Sequence, residues 1–140
     1  MMQYTNDEPA QGICPPGWHI PSDDEWKVLE GYVDSQYGSD DPEWDNILFR
    51  GYDAGNRLKA QLGWASGGNG NNIYGMKVLA SGYWESGFSY TGEDEEAQFW
   101  TSTHDSGQNA FQRKLSYDEN RISRENHWDK AALSVRCLKD

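Results

Sequence analysis

The sequence predicts an α+β domain, two helices beside a twisted antiparallel sheet with long loops, and three observations carry that expectation. A capped amphipathic stretch stands at 22–33, and strand-like runs at 97–103, 109–117 and 132–138 crowd the last third of the chain. The composition is the third: 7 Trp, 8 Tyr and 15 Gly in 140 residues suit a loop-rich core built on large rings rather than on leucine-rich helices. A chain of this length fits one domain, 1–140.

The elements follow in order. Cys14-Pro15-Pro16-Gly17-Trp18 reads as a rigid turn, because two prolines hold φ and the glycine accepts whatever bend remains. Ser22 then caps a helix over about 23–33: Ser22 and Glu25 form a capping box, and Asp23 and Asp24 favour the positive end of the helix dipole. Trp26, Leu29, Tyr32 and Val33 give that helix one apolar face. Asp40-Asp41-Pro42 breaks the chain, and Ala54, Leu58 and Leu62, spaced four apart, suggest a second helix within about 46–62 that Gly51 and Gly55 weaken. Residues 64–72 form a Gly/Asn/Ser loop, Gly87 and Gly92 mark a turn, and Glu93 to Glu96 an acidic loop. Strands follow, with room for a short additional one within 118–130 around Ile122. Trp18, Trp26 and Trp100 are assigned to the core.

Charge and cysteines bound the partners. Residues 1–110 carry five basic and eighteen acidic side chains, whereas 111–140 carry seven and five. So acidic a body repels phosphate, which disfavours nucleic acid and anionic membrane. No apolar run approaches the ~18 residues of a membrane span, and no signal-peptide pattern opens the chain. The two cysteines, Cys14 and Cys137, suit a bridge in an oxidising compartment; two unrelated buried thiols are the alternative.

The segments Gly12-Ile13-Cys14-Pro15-Pro16-Gly17-Trp18-His19-Ile20-Pro21-Ser22-Asp23-Asp24-Glu25-Trp26, Ala54-Gly55-Asn56-Arg57-Leu58-Lys59, Phe99-Trp100-Thr101-Ser102-Thr103 and Ser134-Val135-Arg136-Cys137 occur in that order. Together they resemble the Fibrobacter succinogenes major paralogous domain, a family of secreted and lipoprotein-borne modules of Bacteroidetes and Fibrobacter. The resemblance implies a C-type-lectin-like fold, in the branch that also holds formylglycine-generating enzymes and the variable proteins of diversity-generating retroelements. It also implies an extracellular or cell-surface setting. The family pattern begins upstream of Met1, which implies a fragment lacking a leading segment and any targeting signal.

Enzymatic chemistry finds little support. No HExxH spacing, GxSxG elbow or P-loop is present, and His19 reads as a structural residue before the helix. A formylglycine-type oxidase, or another enzyme on the same scaffold, is the alternative that free thiols would favour. No cofactor and no metal site is expected: the Glu-Pro-Asn and Gln-Pro-Asp tripeptides of calcium-dependent lectins are absent, and Trp44-Asp45-Asn46 matches their Trp-Asn-Asp only loosely. The acidic runs 40–45 and 93–96 read as solvated charge, with a structural cation as the alternative. What remains is display. His104, Gln108, Gln112, Arg113, Tyr117, Asn120, Arg121, Arg124, Asn126, His127 and Trp128 combine planar stacking groups with multidentate donors. The expected function is therefore non-catalytic binding of an extracellular protein or glycan by a monomeric, adhesin-like module, or, more narrowly, the variable protein of a diversity-generating retroelement.

Overall fold

The computed structural model describes residues 8–85, 89–105, 109–128 and 130–140, so Gly87 and Gln108 lie outside the described residues. The chain runs through β1 (Trp18–His19), α1 (Asp23–Val33), a 3-10 turn at Pro42–Asp45, β2 (Leu48–Arg50) and α2 (Ala54–Leu58). A second 3-10 turn at Ala65–Gly67 precedes β3 (Ser81–Trp84), β4 (Tyr90–Glu93), β5 (Glu96–His104), β6 (Asn109–Ser116), β7 (Ile122–Trp128) and β8 (Leu138–Lys139). Six strands form one sheet in the order β2-β7-β6-β5-β3-β4, and β1 pairs with β8 apart from it. These pairings are antiparallel except that of β3 with β5, parallel at Gly82 and Ala97. The fold is α+β, as the sequence predicts, with a mostly antiparallel mixed sheet.

Helix α1 begins where the capping box places it. Ser22 Oγ accepts from the Glu25 amide, and the Glu25 carboxylate accepts from the Ser22 amide at 2.8 Å. The helix lies on the sheet through Trp26, whose ring sits 5.7 Å from that of Phe99, and through Val33. Tyr32 is not on the buried face; it is 69% exposed, and Glu30, fully buried, occupies that face instead. A charged group under a helix must find partners, and Glu30 finds two.

The predicted helix over 46–62 is largely replaced. Leu48–Arg50 is a strand paired with β7, and the chain turns sharply at Gly51, whose φ of +81° and whose contact with the Trp44 ring exclude any side chain. The helix can start only at Ala54, where Asp34 Oδ2 accepts from the amides of Tyr52, Asp53 and Ala54 at 2.9–3.0 Å. It ends at Leu58 because Lys59 leaves to bridge Val78. Ala54 and Leu58 are buried, but Leu62 is exposed. The predicted strand over 132–138 also shrinks, to bridges at Ala132 and Ser134 followed by β8. The additional strand expected near Ile122 is a full seven-residue β7. Trp26 and Trp100 are core residues; Trp18, at 38% exposure, is not.

The two ends of the fold are tied covalently and electrostatically. Cys14 and Cys137 form a disulfide, with Cα atoms 5.8 Å apart. Beside it His19 of β1 meets Asp140 through Nδ1 at 2.6 Å and Glu25 through Nε2 at 3.0 Å. Because both ring nitrogens face carboxylate oxygens, both donate only when the imidazole is protonated. The Asp140 hydrogen bond therefore raises the His19 pKa, against burial and with help from Glu25.

Two outcomes follow from this closure. The bridge spans 123 residues, so reduction should lower the unfolding free energy by about 4–5 kcal/mol in the chain-entropy description, read as a drop in urea midpoint without loss of the native tryptophan emission. The His19 contribution runs the other way along the pH axis from that of a carboxylate. With the folded pKa raised above ~6.5, it is complete below that value and disappears as pH rises through the folded pKa. Urea midpoints measured from pH 5 to 9 should therefore fall more steeply for the native chain than for His19→Gln; parallel profiles would remove the role of this contact.

Candidate functional site

The central strands present two faces, and the predicted display residues divide between them. On the α1 face, Arg113 of β6 and Arg124 of β7 are register partners, and both turn inward. Arg113 Nη1 lies 2.8 Å from Asp23 Oδ1, its Nη2 donates to the Asp23 carbonyl, and its Nε donates to Glu30 Oε1. Arg50 of β2 donates to Glu30 Oε2 at 2.6 Å and to the carbonyls of Trp44 and Ile122. Arg124 holds Asp23 in a two-pronged contact, 2.8 Å at each oxygen, and covers the Phe111 ring at 4.0 Å. Asp23, Glu30, Arg50, Arg113 and Arg124 thus form one ionic network between helix and sheet. Arg113 and Arg124, expected to meet a ligand, are structural.

The network sets its own charges. Burial pushes the Asp23 carboxyl upward, but Arg124 and Arg113 overcome it and hold the group well below the ordinary carboxylate range. At Glu30 burial dominates and leaves the carboxyl raised, against the pull of Arg113 and Arg50. Burial pushes Arg50 down to about 10, which leaves it a cation at neutral pH.

The opposite face carries Gln112, which is buried and pairs in register with Trp100 and Glu125. It also carries His127, whose ring meets the Trp100 ring edge-on at 6.1 Å and whose Nε2 lies 3.7 Å from Glu85. His104 ends β5 with both ring nitrogens buried and without a hydrogen-bond partner among the described residues. At that same end of the sheet Asn126 donates to Asp105 at 2.6 Å, and Trp128, 44% exposed, lies under the Lys130 ammonium at 4.7 Å.

The remaining predicted residues lie at the other end, in the turn from β6 to β7. Arg121 is an exposed residue held by the Glu119 carboxylate at 2.6 Å and 3.0 Å. Tyr117 and Asn120 line a cavity of about 270 Å³. Asp118 of the same turn, Asn56 and Lys59 of the α2 region and the loop through Ser66 and Asn69 complete its lining. Its geometry is fixed by backbone approach: a Cβ on Gly68 would stand 2.0 Å from the Tyr117 carbonyl oxygen, and one on Gly55 would stand 2.3 Å from that of Arg121. Lys59, 1% exposed, donates to the carbonyls of Ser116 and Glu119 at 2.9 and 3.0 Å and sits over the Trp64 ring. Burial lowers its pKa, with Glu119 and Asp118 opposing. Among the described residues no group of three or more His, Cys, Asp or Glu is placed to hold a metal ion.

Residues 2–139 match the family described as the Fibrobacter succinogenes major domain. The chain belongs to that family. No curated protein and no solved structure matches it. The motif segments of this major domain map onto its frame: the first carries Cys14, His19 and the α1 cap, the second carries Gly55 and Lys59, the third lies in β5, and the last reaches Cys137. Sequence reasoning missed the cavity residues Asn56, Lys59 and Asn69, which lie 48 or more positions from Tyr117 in the β6–β7 turn. It also missed Glu30, although the spacing Trp26, Glu30, Val33 puts a carboxylate on the apolar stripe, and that was the available signal.

Breaking a buried ionic group by removing one partner leaves a charge uncompensated. Glu30→Gln should therefore cost about 3–5 kcal/mol in urea unfolding, whereas Arg121→Ala, which breaks a surface pair, should cost about 1 kcal/mol or less. Joint replacement of Glu30, Arg50 and Arg113 by apolar residues should recover much of the loss. The Asp23 share is complete above pH ~4 and is lost only as pH falls through its lowered folded pKa.

Proposed function

We propose that this major domain is a non-catalytic recognition module of a bacterial surface protein, C-type-lectin-like in fold, which binds an extracellular protein or glycan through its C-terminal polar and aromatic segment. One observation carries the reading. The middle of the segment is locked into the frame through Arg113 and Arg124, while exposed groups stand at the two ends of the strands, Asn120 and Arg121 beside the half-buried Tyr117 at one and Asn126 and Trp128 at the other. A rigid scaffold with a decorated rim is the arrangement that recognition modules use.

The disulfide is compatible with an extracellular location, and no helix among the described residues is long and apolar enough to cross a membrane. A formylglycine-type oxidase needs reactive thiols, and both cysteines of this chain are joined to each other. A diversified version of the segment, as in a retroelement variable protein, would have to spare Arg113 and Arg124, since their substitution uncovers Asp23 and Glu30.

A combined glycan and protein array tests the proposal. Native protein should bind a defined subset of ligands, and Trp128→Ala or Asn120→Ala should weaken that binding tenfold or more while leaving the thermal midpoint unchanged. An array without binders, or binders indifferent to both substitutions, overturns it.

A further inference from the structure

We infer that the cavity at the β6–β7 turn is a metal-independent subsite for one neutral sugar ring; the inference rests on the recognition reading above and names its ligand class. Size is the first argument. At about 270 Å³ the cavity lies just below the ~300–1,000 Å³ of drug-sized ligand pockets, which suits a single ring and not a peptide strand or a helix face.

The chemistry of the wall is the second. The side-chain amides of Asn56 and Asn120 enter no hydrogen bond among the described residues, and Asn69 uses its carbonyl oxygen on the Trp64 amide, which leaves its NH₂ group. Each amide NH₂ offers two donors, and each amide or carboxylate oxygen is an acceptor. Asp118 uses one oxygen on Ser116 Oγ at 2.5 Å and keeps the other. Donors and acceptors interleaved in this way match vicinal hydroxyls, each of which donates once and accepts twice. Tyr117, packed against the hydrophobic core, completes the lining.

Charge is the third. The Lys59 ammonium is held by two carbonyl oxygens and the Trp64 ring, and the chain carries a net charge of −11, so an anion is disfavoured. Among the described residues Asp118 is the one carboxylate on the wall, too few for a divalent cation and its six to eight oxygens. A neutral polyhydroxyl ligand is what the remaining groups fit. The site is also preorganised, since Gly55 and Gly68 hold the walls at backbone contact and little ordering remains to oppose binding.

The test uses the whole ¹⁵N-labelled chain and a panel of methyl glycosides of hexoses and N-acetylhexosamines, with side-chain amide resonances as the readout. At least one glycoside should shift the NH₂ signals of Asn56 and Asn120 saturably, with a Kd of about millimolar as expected for a one-ring ligand, and EDTA should change nothing. Asn120→Ala and Asn56→Ala should each weaken binding about tenfold, and Trp128→Ala should leave it unchanged. Absence of any shift across the panel, shifts confined to the Trp128 end, or a calcium requirement would overturn the assignment. The array separates this failure from that of the parent reading. Array ligands lost with Trp128→Ala but kept with Asn56→Ala sink the sugar subsite alone, whereas a silent array together with silent titrations sinks both.

Discussion

The rest of the structure depends on one constraint, the need of a carboxylate buried under α1 to be neutralised from the sheet. Glu30 has no access to water, and the groups that satisfy it come from β2 and β6, at residues 50 and 113. Asp23 repeats the device one end of the helix away and draws in β7 through Arg124. Because each guanidinium fork has a fixed geometry, the helix can rest on the sheet in only one rotation and one height. The network also explains why a three-residue strand such as β2 persists at the sheet edge: Arg50 anchors it from beneath to Glu30 and to the carbonyls of Trp44 and Ile122.

That rigidity reaches the β6–β7 turn. Lys59, like Arg50 and Arg113, is a buried cation with partners far away in sequence, but it bonds carbonyl groups rather than carboxylates. By tying Ser116 and Glu119 to the end of α2 it fixes the height of the turn over the 65–69 loop, with Gly68 making room for the Tyr117 carbonyl. The cavity is therefore a by-product of how two irregular segments are joined, and its walls carry polar groups because irregular segments are rich in Asn, Ser and Gly.

Much of the fold was legible where local chemistry decides it. The α1 boundaries followed from Ser22, Glu25 and the apolar stripe, and β5 and β6 fall within a residue of the strand-like runs at 97–103 and 109–117. The 46–62 region was not legible, because its conformation is decided by Asp34, which caps α2 from outside it, and by Trp44 packed against Gly51. Polar residues were the hardest to place. Arg113, Arg124 and Gln112 look like surface groups in one dimension; the two arginines are drawn inward by positions 23 and 30, some eighty to a hundred residues away, and Gln112 is covered on the opposite face between Trp100 and Glu125. Tyr117, expected at the end of a strand, and Asn120, expected in the polar stretch after it, both lie in the β6–β7 turn, but the residues they share the cavity with come from segments no local pattern connects to them.

The Cys14–Cys137 bond has a mechanical consequence. Tension applied to the polypeptide outside the two cysteines travels through the covalent bridge, so the 122 residues between them bear none of it. The exceptions are contacts made by residues outside the loop: the Ala10–Ile20 bridge and the Glu8–Thr103 hydrogen bond before Cys14, and the β1–β8 ladder after Cys137, which must part before the enclosed residues are fully relieved of load. Once these outer clasps part, pull on the two ends passes through the covalent bridge, and the sheet, α1 and the β6–β7 turn keep their mutual geometry.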